Sequence, residues 1–293
     1  FAHDEETYKA LEASKAWSKA EMIAPKQFRE EISPYFNANP KKYISALVSE
    51  DCWQATPGKV VDLVRNLGIA AGGTVMEDCR VLEACREGKY TSVLVQTHDK
   101  KYVEYRTEHF VNALGSGAGK LCDSMGIDAG LYPVRHQAFI TRRLPMLGKH
   151  GTNLDMLIDR QDYKGFSAVY GQQIAYTGQI IGCASPKLDA MRIDKNLKVN
   201  TKAFLEIVSE MFSEWIPDLA GVGIQAVWAG YYTEPRYIVD PELGLFVGMC
   251  GHGFMLSQYI ARMYVDKLLG RPVPEYFEKL KLNGPGLSEK AFK

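Results

Sequence analysis

The spacing of apolar residues predicts helices in several parts of the chain. Residues 4–22 form an amphipathic pattern, a short helix follows Pro25 and ends before Pro34, and residues 200–214 repeat apolar side chains at helical intervals. The segment TPGKVVDLVRNLGIAAGG has Thr56 as a capping residue, a proline in the first turn and glycines after the last turn. Two further helices are predicted, one over 254–269 and one after Pro274.

The pattern changes to short β-rich runs between residues 74 and 114. These runs are separated by the turns EGK and HDKK, which predicts a small antiparallel meander. KLCDSMG then predicts a helix and LYPVRHQAFITRRL an extended run, while 150–185 and 221–232 read as strands. Helices and strands therefore interleave along the chain, which predicts an α/β (α+β mixed) fold with a mixed sheet.

Composition and charge exclude several classes of protein. Hydrophobic residues make up 46% of the 293 positions and charged residues 24%, which excludes a disordered or coiled-coil chain. The 35 Lys and Arg residues balance 35 Asp and Glu residues, so no excess positive charge favours a nucleic-acid partner. The longest nearly uncharged apolar run, 245–256, is too short to span a bilayer, and no targeting signal is visible.

The six cysteines predict an intracellular protein with reduced thiols. None belongs to a CxxC pair, and each is expected among apolar neighbours. No tight Cys/His cluster predicts a metal site. We therefore expect a soluble, cytoplasmic protein, or one in an organelle matrix if a targeting peptide has been removed.

The glycine-rich segment GSGAGK at 115–120 has two interpretations. Closely spaced glycines at a helix start let backbone amides surround an anion. However, Gly115 and Gly119 bracket three residues where a Walker loop has four, and Lys120 stands where GxGxxG requires glycine. A tight turn between a strand and a helix is the structural alternative.

The run LFVGMCGHGF precedes a long predicted helix. A Gly-His-Gly turn without bulky side chains permits close approach of a flat ligand, and the positive end of the helix would face the same place. Close packing of strand and helix explains the same glycines without a ligand. No GxSxG elbow surrounds a serine, and Cys250 beside His252 has no orienting acid in sequence, which disfavours hydrolase chemistry.

Several segments together resemble the FAD-dependent oxidoreductases of the D-amino-acid-oxidase-like (DAO) family, of the sarcosine oxidase, dimethylglycine dehydrogenase and glycine oxidase type. The matching stretches follow the family's order from about residue 20 to the end; they are PGKVVDLVRNLGIAAGGTVMED, HFVNALG, LYPVRHQAFIT, AVWAGYY and GLFVGMCGHGFMLSQYIARMYVDKLLGR. The resemblance implies an FAD-binding domain interleaved with a large-sheet substrate domain. It assigns 1–130 to a partial FAD-binding domain, 131–235 to the substrate domain and 236–293 to a return to the FAD-binding domain.

The resemblance also implies which residues bind the cofactor and the substrate. FAD is the implied cofactor, and the residues carried over to it are Val81, Ala113, Leu114, Gly115, Gly251, His252, Gly253 and Phe254. The residues implied for catalysis are His136, Gln137, Tyr231 and Tyr232. The residues implied for binding a substrate carboxylate are Arg135 and Arg236. His252 is expected either to bond the cofactor or to cap the helix.

The chain departs from the family pattern in ways that leave its function open. The family's GxGxxG turn and ribose-binding acid have no counterpart in the sequence, and Tyr232 stands where glycine-oxidase-like members have arginine. The leading hypothesis is flavin-dependent oxidation of a small amine or amino acid by hydride transfer to FAD. A noncatalytic DAO-like subunit or assembly factor and a 2-hydroxyacid dehydrogenase of the same fold are the alternatives. A separate N-terminal segment or partner subunit is a further expectation.

Overall fold

The computed structural model describes residues 1–35, 41–50, 52–148, 154–159, 161, 165–174, 177–186 and 201–285 of the chain. Part of the predicted series of strands and turns in 150–185 lies outside the described residues. The α-helices of the described chain are α1 (Glu5–Ser14), α2 (Pro25–Gln27), α3 (Pro57–Ala70), α4 (Ala118–Ser124), α5 (Thr201–Trp215) and α6 (Gly253–Leu268). Its strands are β1 (Glu21–Ile23), β2 (Ala46–Val48), β3 (Arg80–Glu87), β4 (Tyr90–Gln96), β5 (Tyr102–Thr107), β6 (Tyr132–Thr141), β7 (Leu157–Asp159), β8 (Phe166–Ile174), β9 (Gln179–Pro186), β10 (Ile224–Glu234), β11 (Ile238–Asp240) and β12 (Leu245–Val247).

The mixed α and β class predicted from the sequence is confirmed. Within it, the helix predicted over 4–22 is shorter than expected: α1 ends at Ser14 and a 3₁₀ turn follows to Trp17. The reason is a long-range pairing, because Met22 lies opposite Leu47 in the antiparallel β1–β2 ladder. The predicted helix after Pro274 is a 3₁₀ helix, Glu275–Leu280.

The chain divides into two units, and the first comprises Phe1–Trp53 and Arg135–Gly230. Its five-stranded sheet has the order β10-β6-β9-β8-β7. Helix α5 buries Phe204, Val208 and Phe212 in the core cluster that also contains Phe139 of β6. Gly182 of β9 has no side chain because a β-carbon there would overlap the ring of Phe139.

The second unit comprises Gln54–Val134 and Tyr231–Lys293. The predicted meander is present as the antiparallel sheet β3-β4-β5, and α4 contributes Leu121 to the core beneath it. The β11–β12 hairpin forms a second core with α6 and the 3₁₀ helix. Helix α3 has no buried residue, and Val61 and Leu67 are more than half exposed.

The division by contacts therefore groups 1–53 with 135–230. The assignment of 1–130, 131–235 and 236–293 to FAD-binding and substrate domains stays a prediction. Among the described residues, no helix is long and apolar enough to cross a membrane.

Candidate functional site

Two segments that were predicted to bind the cofactor follow directly after two residues of the second unit that pair in parallel. Asn112 and Leu245 form a parallel bridge. The Asn112 N–H donates to the Gly244 carbonyl at 2.7 Å, and the Phe246 N–H donates to the Asn112 carbonyl at 3.0 Å. Residues 113–115 continue from one segment and residues 248–254 from the other. Ligands of α/β proteins bind characteristically at the carboxyl ends of parallel strands.

The side chain of Asn112 holds the first of these turns. Its Nδ2 donates to the Ala118 carbonyl at 3.0 Å, and its Oδ1 accepts from the Leu114 N–H at 3.3 Å. Gly115 has a φ of +53°, and Ala113, Leu114 and Gly115 are all exposed. The backbone of residues 113–115 is therefore exposed, while the buried Asn112 side chain holds the turn in place. The sequence reasoning did not select Asn112, although its position in HFVNALG marked the end of the segment.

Cys122, a buried cysteine, lies beside the Asn112 side chain. The Asn112 Nδ2 lies 3.5 Å from the Cys122 Sγ, and Cys122 is fully buried. Burial raises the pKa of the Cys122 thiol. Cys122 is therefore a packing residue of the core under the turn. The expectation that every cysteine lies among apolar neighbours is wrong for Cys52 and Cys85, which are exposed.

The second turn has three left-handed residues within four positions. Gly248, Cys250 and Gly251 have φ values of +73°, +46° and +88°. A β-carbon on Gly248 would overlap the carbonyl oxygen of Arg236, and one on Gly251 would overlap the ring of Tyr232. Glycine is therefore required at both positions, because each has a left-handed backbone angle and neither has space for a β-carbon. Gly248 was not selected from the sequence.

Gly253 is less constrained than the sequence reasoning expected. It is the first residue of α6, and its φ lies outside the left-handed region. A β-carbon there would lie 3.1 Å from the Met249 Cβ, which needs a shift of only a few tenths of an ångström. The tight turn therefore requires Gly251 more strictly than Gly253.

His252 is held by a buried tyrosine. Its Nδ1 shares a hydrogen bond of 2.7 Å with the Tyr237 hydroxyl, and Tyr237 is 1% exposed. The His252 side chain makes no capping hydrogen bond to α6, so the helix-cap alternative is not observed. The first-turn N–H groups of α6 have no acceptor within the helix, and Phe254 in that turn is exposed. The sequence reasoning did not select Tyr237.

Tyr132 is a further group near this turn that sequence reasoning missed. Burial raises the pKa of its hydroxyl, and electrostatic interactions with Glu234 and Cys250 add to the rise. Tyr132 is nevertheless 38% exposed. It is therefore a neutral hydrogen-bonding group at neutral pH.

The two tyrosines of β10 that were predicted as catalytic differ in position. Successive side chains of a strand point to opposite faces, so Tyr231 and Tyr232 do not share a face. Tyr232 is the residue that covers Gly251. The structure thus brings Tyr232, which was predicted to be catalytic, into contact with Gly251, which was predicted to bind the cofactor.

Arg236 already binds two backbone carbonyls. Its Nη1 donates to the Gly284 carbonyl at 2.9 Å and its Nη2 to the Leu282 carbonyl at 2.6 Å. A substrate carboxylate would have to share this guanidinium with the 282–284 segment.

Arg135, His136 and Gln137 lie in the first unit, on β6. Phe139 packs edge-on against Phe212 of α5 with ring centroids 5.3 Å apart, so the odd-numbered residues of β6 face α5. Gln137 shares that face and His136 lies on the opposite one, and both are buried. A molecule bound at one face of the sheet can therefore contact only one of them.

Val81 lies on β3, the edge strand of the meander in the second unit. Its side chain packs against the core cluster that contains Ala84, and the strand bulges between Val81 and Glu83. The outer backbone groups of an edge strand have no partner strand. The role of Val81 toward the cofactor stays a prediction.

No group of three His, Cys, Asp or Glu residues within the described ranges has the arrangement of a metal site.

Three solved structures with the same fold are named as an L-proline dehydrogenase and two glycine oxidases. L-proline dehydrogenase from P. horikoshii has a TM-score of 0.75 and 24% identity, over 96% of this chain and 74% of that chain. Glycine oxidase from Bacillus cereus has a TM-score of 0.70 and 17% identity, over 94% and 74%. Glycine oxidase from Geobacillus kaustophilus has a TM-score of 0.74 and 16% identity, over 96% and 72%. Identities this low show a shared fold alone.

No curated protein matches the chain. The family model for FAD dependent oxidoreductases (DAO) matches residues 1–267, which is most of the sequence. The chain therefore belongs to the DAO family of FAD-dependent oxidoreductases, whose cofactor is FAD.

Proposed function

We propose that the chain oxidises a small amine or amino acid, with the hydride passing to FAD. The observation that carries the proposal is the pairing of Asn112 with Leu245, from which both predicted cofactor segments diverge. Similar structures named for L-proline, glycine and L-amino acids support the substrate class. The sarcosine, dimethylglycine and glycine type of substrate rests on the sequence resemblance.

The residues present fit a flavin. Exposed backbone at 113–115, open space beside Gly115 and the first-turn N–H groups of α6, which have no acceptor within the helix, suit a flat, electron-accepting ring. When bound, FAD supplies the redox chemistry by accepting the hydride from the carbon that bears the amine. The start of α6 stabilises negative charge placed against it.

The remaining residues orient the substrate in this proposal. Tyr232, which rests on Gly251, contacts the substrate. The candidates for binding the substrate carboxylate are Arg135 in the first unit and Arg236 in the second, whose guanidinium already donates to two carbonyls. The catalytic roles that the family resemblance implies for His136, Gln137 and Tyr231 stay predictions. The Tyr237 hydroxyl fixes the His252 ring through their 2.7 Å hydrogen bond.

We further propose that a GxGxxG turn from outside residues 1–293 completes FAD binding. The sequence contains no such turn, and backbone amides of that turn anchor the pyrophosphate in dinucleotide-binding folds. Helix α3 offers exposed Val61, Leu63 and Leu67 as a surface against which a βα segment can pack. A joined N-terminal segment and a partner subunit are the two sources.

Anaerobic reduction of the bound flavin tests the proposed activity. The protein purified with its bound flavin is mixed with sarcosine, glycine, proline and a matched 2-hydroxy acid, and the flavin absorbance is followed. We expect an amine or amino acid to bleach the flavin. Tyr232→Phe should slow bleaching, whereas Tyr102→Phe, an exposed tyrosine on β5, should not.

Two results would contradict the proposal. Bleaching by the 2-hydroxy acid alone would favour the hydroxyacid dehydrogenase alternative. Purification without flavin, even with the completing segment present, would favour the noncatalytic subunit, which the missing GxGxxG turn supports.

A further inference from the structure

The first unit contains a cavity of about 230 Å³ between α5 and the sheet. Phe139, Val208, Phe212 and Leu219 form its apolar wall, and each is buried. Protein interiors rarely leave voids larger than a water molecule, and an apolar cavity of about 150 Å³ is enough to bind benzene. This cavity can therefore hold one ring with a substituent.

The aromatic wall cannot collapse inward to fill this space. The ring of Phe212 lies where a β-carbon on Gly171 would stand, and the ring of Phe139 lies where one on Gly182 would stand, so both rings rest directly on the sheet backbone. The ring of Phe212 also packs edge-on against Phe139, with the ring planes at 89°. The cavity is thus shaped before a ligand enters.

Two hydroxyl groups line the side of the cavity formed by α5. Ser209 and Ser213 are four residues apart and share a helix face. Neither hydroxyl forms a hydrogen bond within the part of the chain that the structure describes. Ser209 and Gly221 are exposed and mark the mouth of the cavity.

Among the described residues that line the cavity, none has a charged side chain. A charged ligand would lose hydration there without a compensating partner. We propose that this cavity binds a small neutral ring compound that carries one hydroxyl group. The ring lies against Phe139 and Phe212, and the hydroxyl bonds Ser209 and Ser213. The site does not depend on the flavin activity.

Benzyl alcohol and toluene form a matched pair of probes, because they share the ring and differ by the hydroxyl. Ligand-observed NMR titration of the purified protein gives a dissociation constant for each. We expect saturable binding of both, with benzyl alcohol about threefold to tenfold tighter because its hydroxyl bonds Ser209 and Ser213.

Three variants test the placement. Ser209→Ala with Ser213→Ala should bind both probes but lose the preference for the alcohol. Ser209→Phe should fill the mouth and abolish binding. Glu206→Phe, on an exposed position of α5 outside the cavity lining, should bind like the unmodified protein.

Either of two results would overturn the proposal. One is the absence of saturable binding of both probes by the unmodified protein. The other is an unchanged preference in the double alanine variant, which remains informative if Ser209→Phe does not fold.

Discussion

Replacing Gly248 with alanine perturbs the candidate site at its most constrained backbone position. The residue has a φ of +73°, and a β-carbon would overlap the Arg236 carbonyl oxygen and lie 3.2 Å from the Leu131 Cδ2. A backbone carbonyl cannot rotate away as a flexible side chain can. We therefore expect Gly248→Ala to lower the free energy of unfolding strongly.

The magnitude follows from two contributions. A left-handed residue with a β-carbon costs about 1–2 kcal/mol, and overpacking a close contact costs about 1–3 kcal/mol more. Gly248→Ala should therefore cost about 2–5 kcal/mol. Gly270 is the matched control, since its φ is +68° and no atom lies within 4 Å of an added β-carbon. Gly270→Ala should cost only the first contribution.

Urea unfolding of both variants measures the difference. The midpoint of the Gly248→Ala transition should fall well below that of Gly270→Ala with a similar dependence on urea. Equal midpoints would refute the steric reasoning, because the two glycines differ in their surroundings and hardly in φ.

Three further predictions concern other groups. Tyr237→Phe should lower the free energy of unfolding by about 0.5–1.5 kcal/mol, because His252 loses its hydrogen bond; a urea midpoint equal to that of the unmodified protein would contradict it. Thiol titration of the native protein should label Cys52 and Cys85 first, and the three buried cysteines only after unfolding; six equal rates would exclude this packing. Burial raises the pKa of Tyr264 to about 12, so its contribution to stability is complete below the unfolded value near 10 and is lost as pH rises through about 12. Tyr264→Phe should flatten that loss in alkaline urea titrations, and an unchanged loss would assign it to other groups.

Local patterns predicted much of the secondary structure. Helix α3 begins at Pro57 after Thr56, as expected from the capping pattern, although Thr56 forms no side-chain cap. Apolar spacing located α5 and α6, and the EGK and HDKK turns located the meander. These features depend on neighbours in the sequence, which is why the sequence alone reveals them.

The candidate site depends on contacts between distant residues. No local pattern shows that Asn112 pairs with Leu245, that the Arg236 carbonyl requires glycine at 248, or that the ring of Tyr232 covers Gly251. The motif indicated glycines for a flat ligand, whereas the structure shows that a neighbouring tyrosine also occupies part of that space.

The flavin spectrum of a Gly253→Val protein tests the central claim most directly, namely that the turn before α6 holds the cofactor. Gly253 has an ordinary φ and one close neighbour, so a side chain there obstructs the start of α6 with little strain in the fold. Gln258→Ala, on an exposed position of α6, is the control. In the complete flavin-binding protein, Gly253→Val should lose the flavin or shift its absorption while the circular dichroism stays unchanged, and Gln258→Ala should do neither. A Gly253→Val protein with the same flavin content and spectrum as the unmodified protein would contradict the claim.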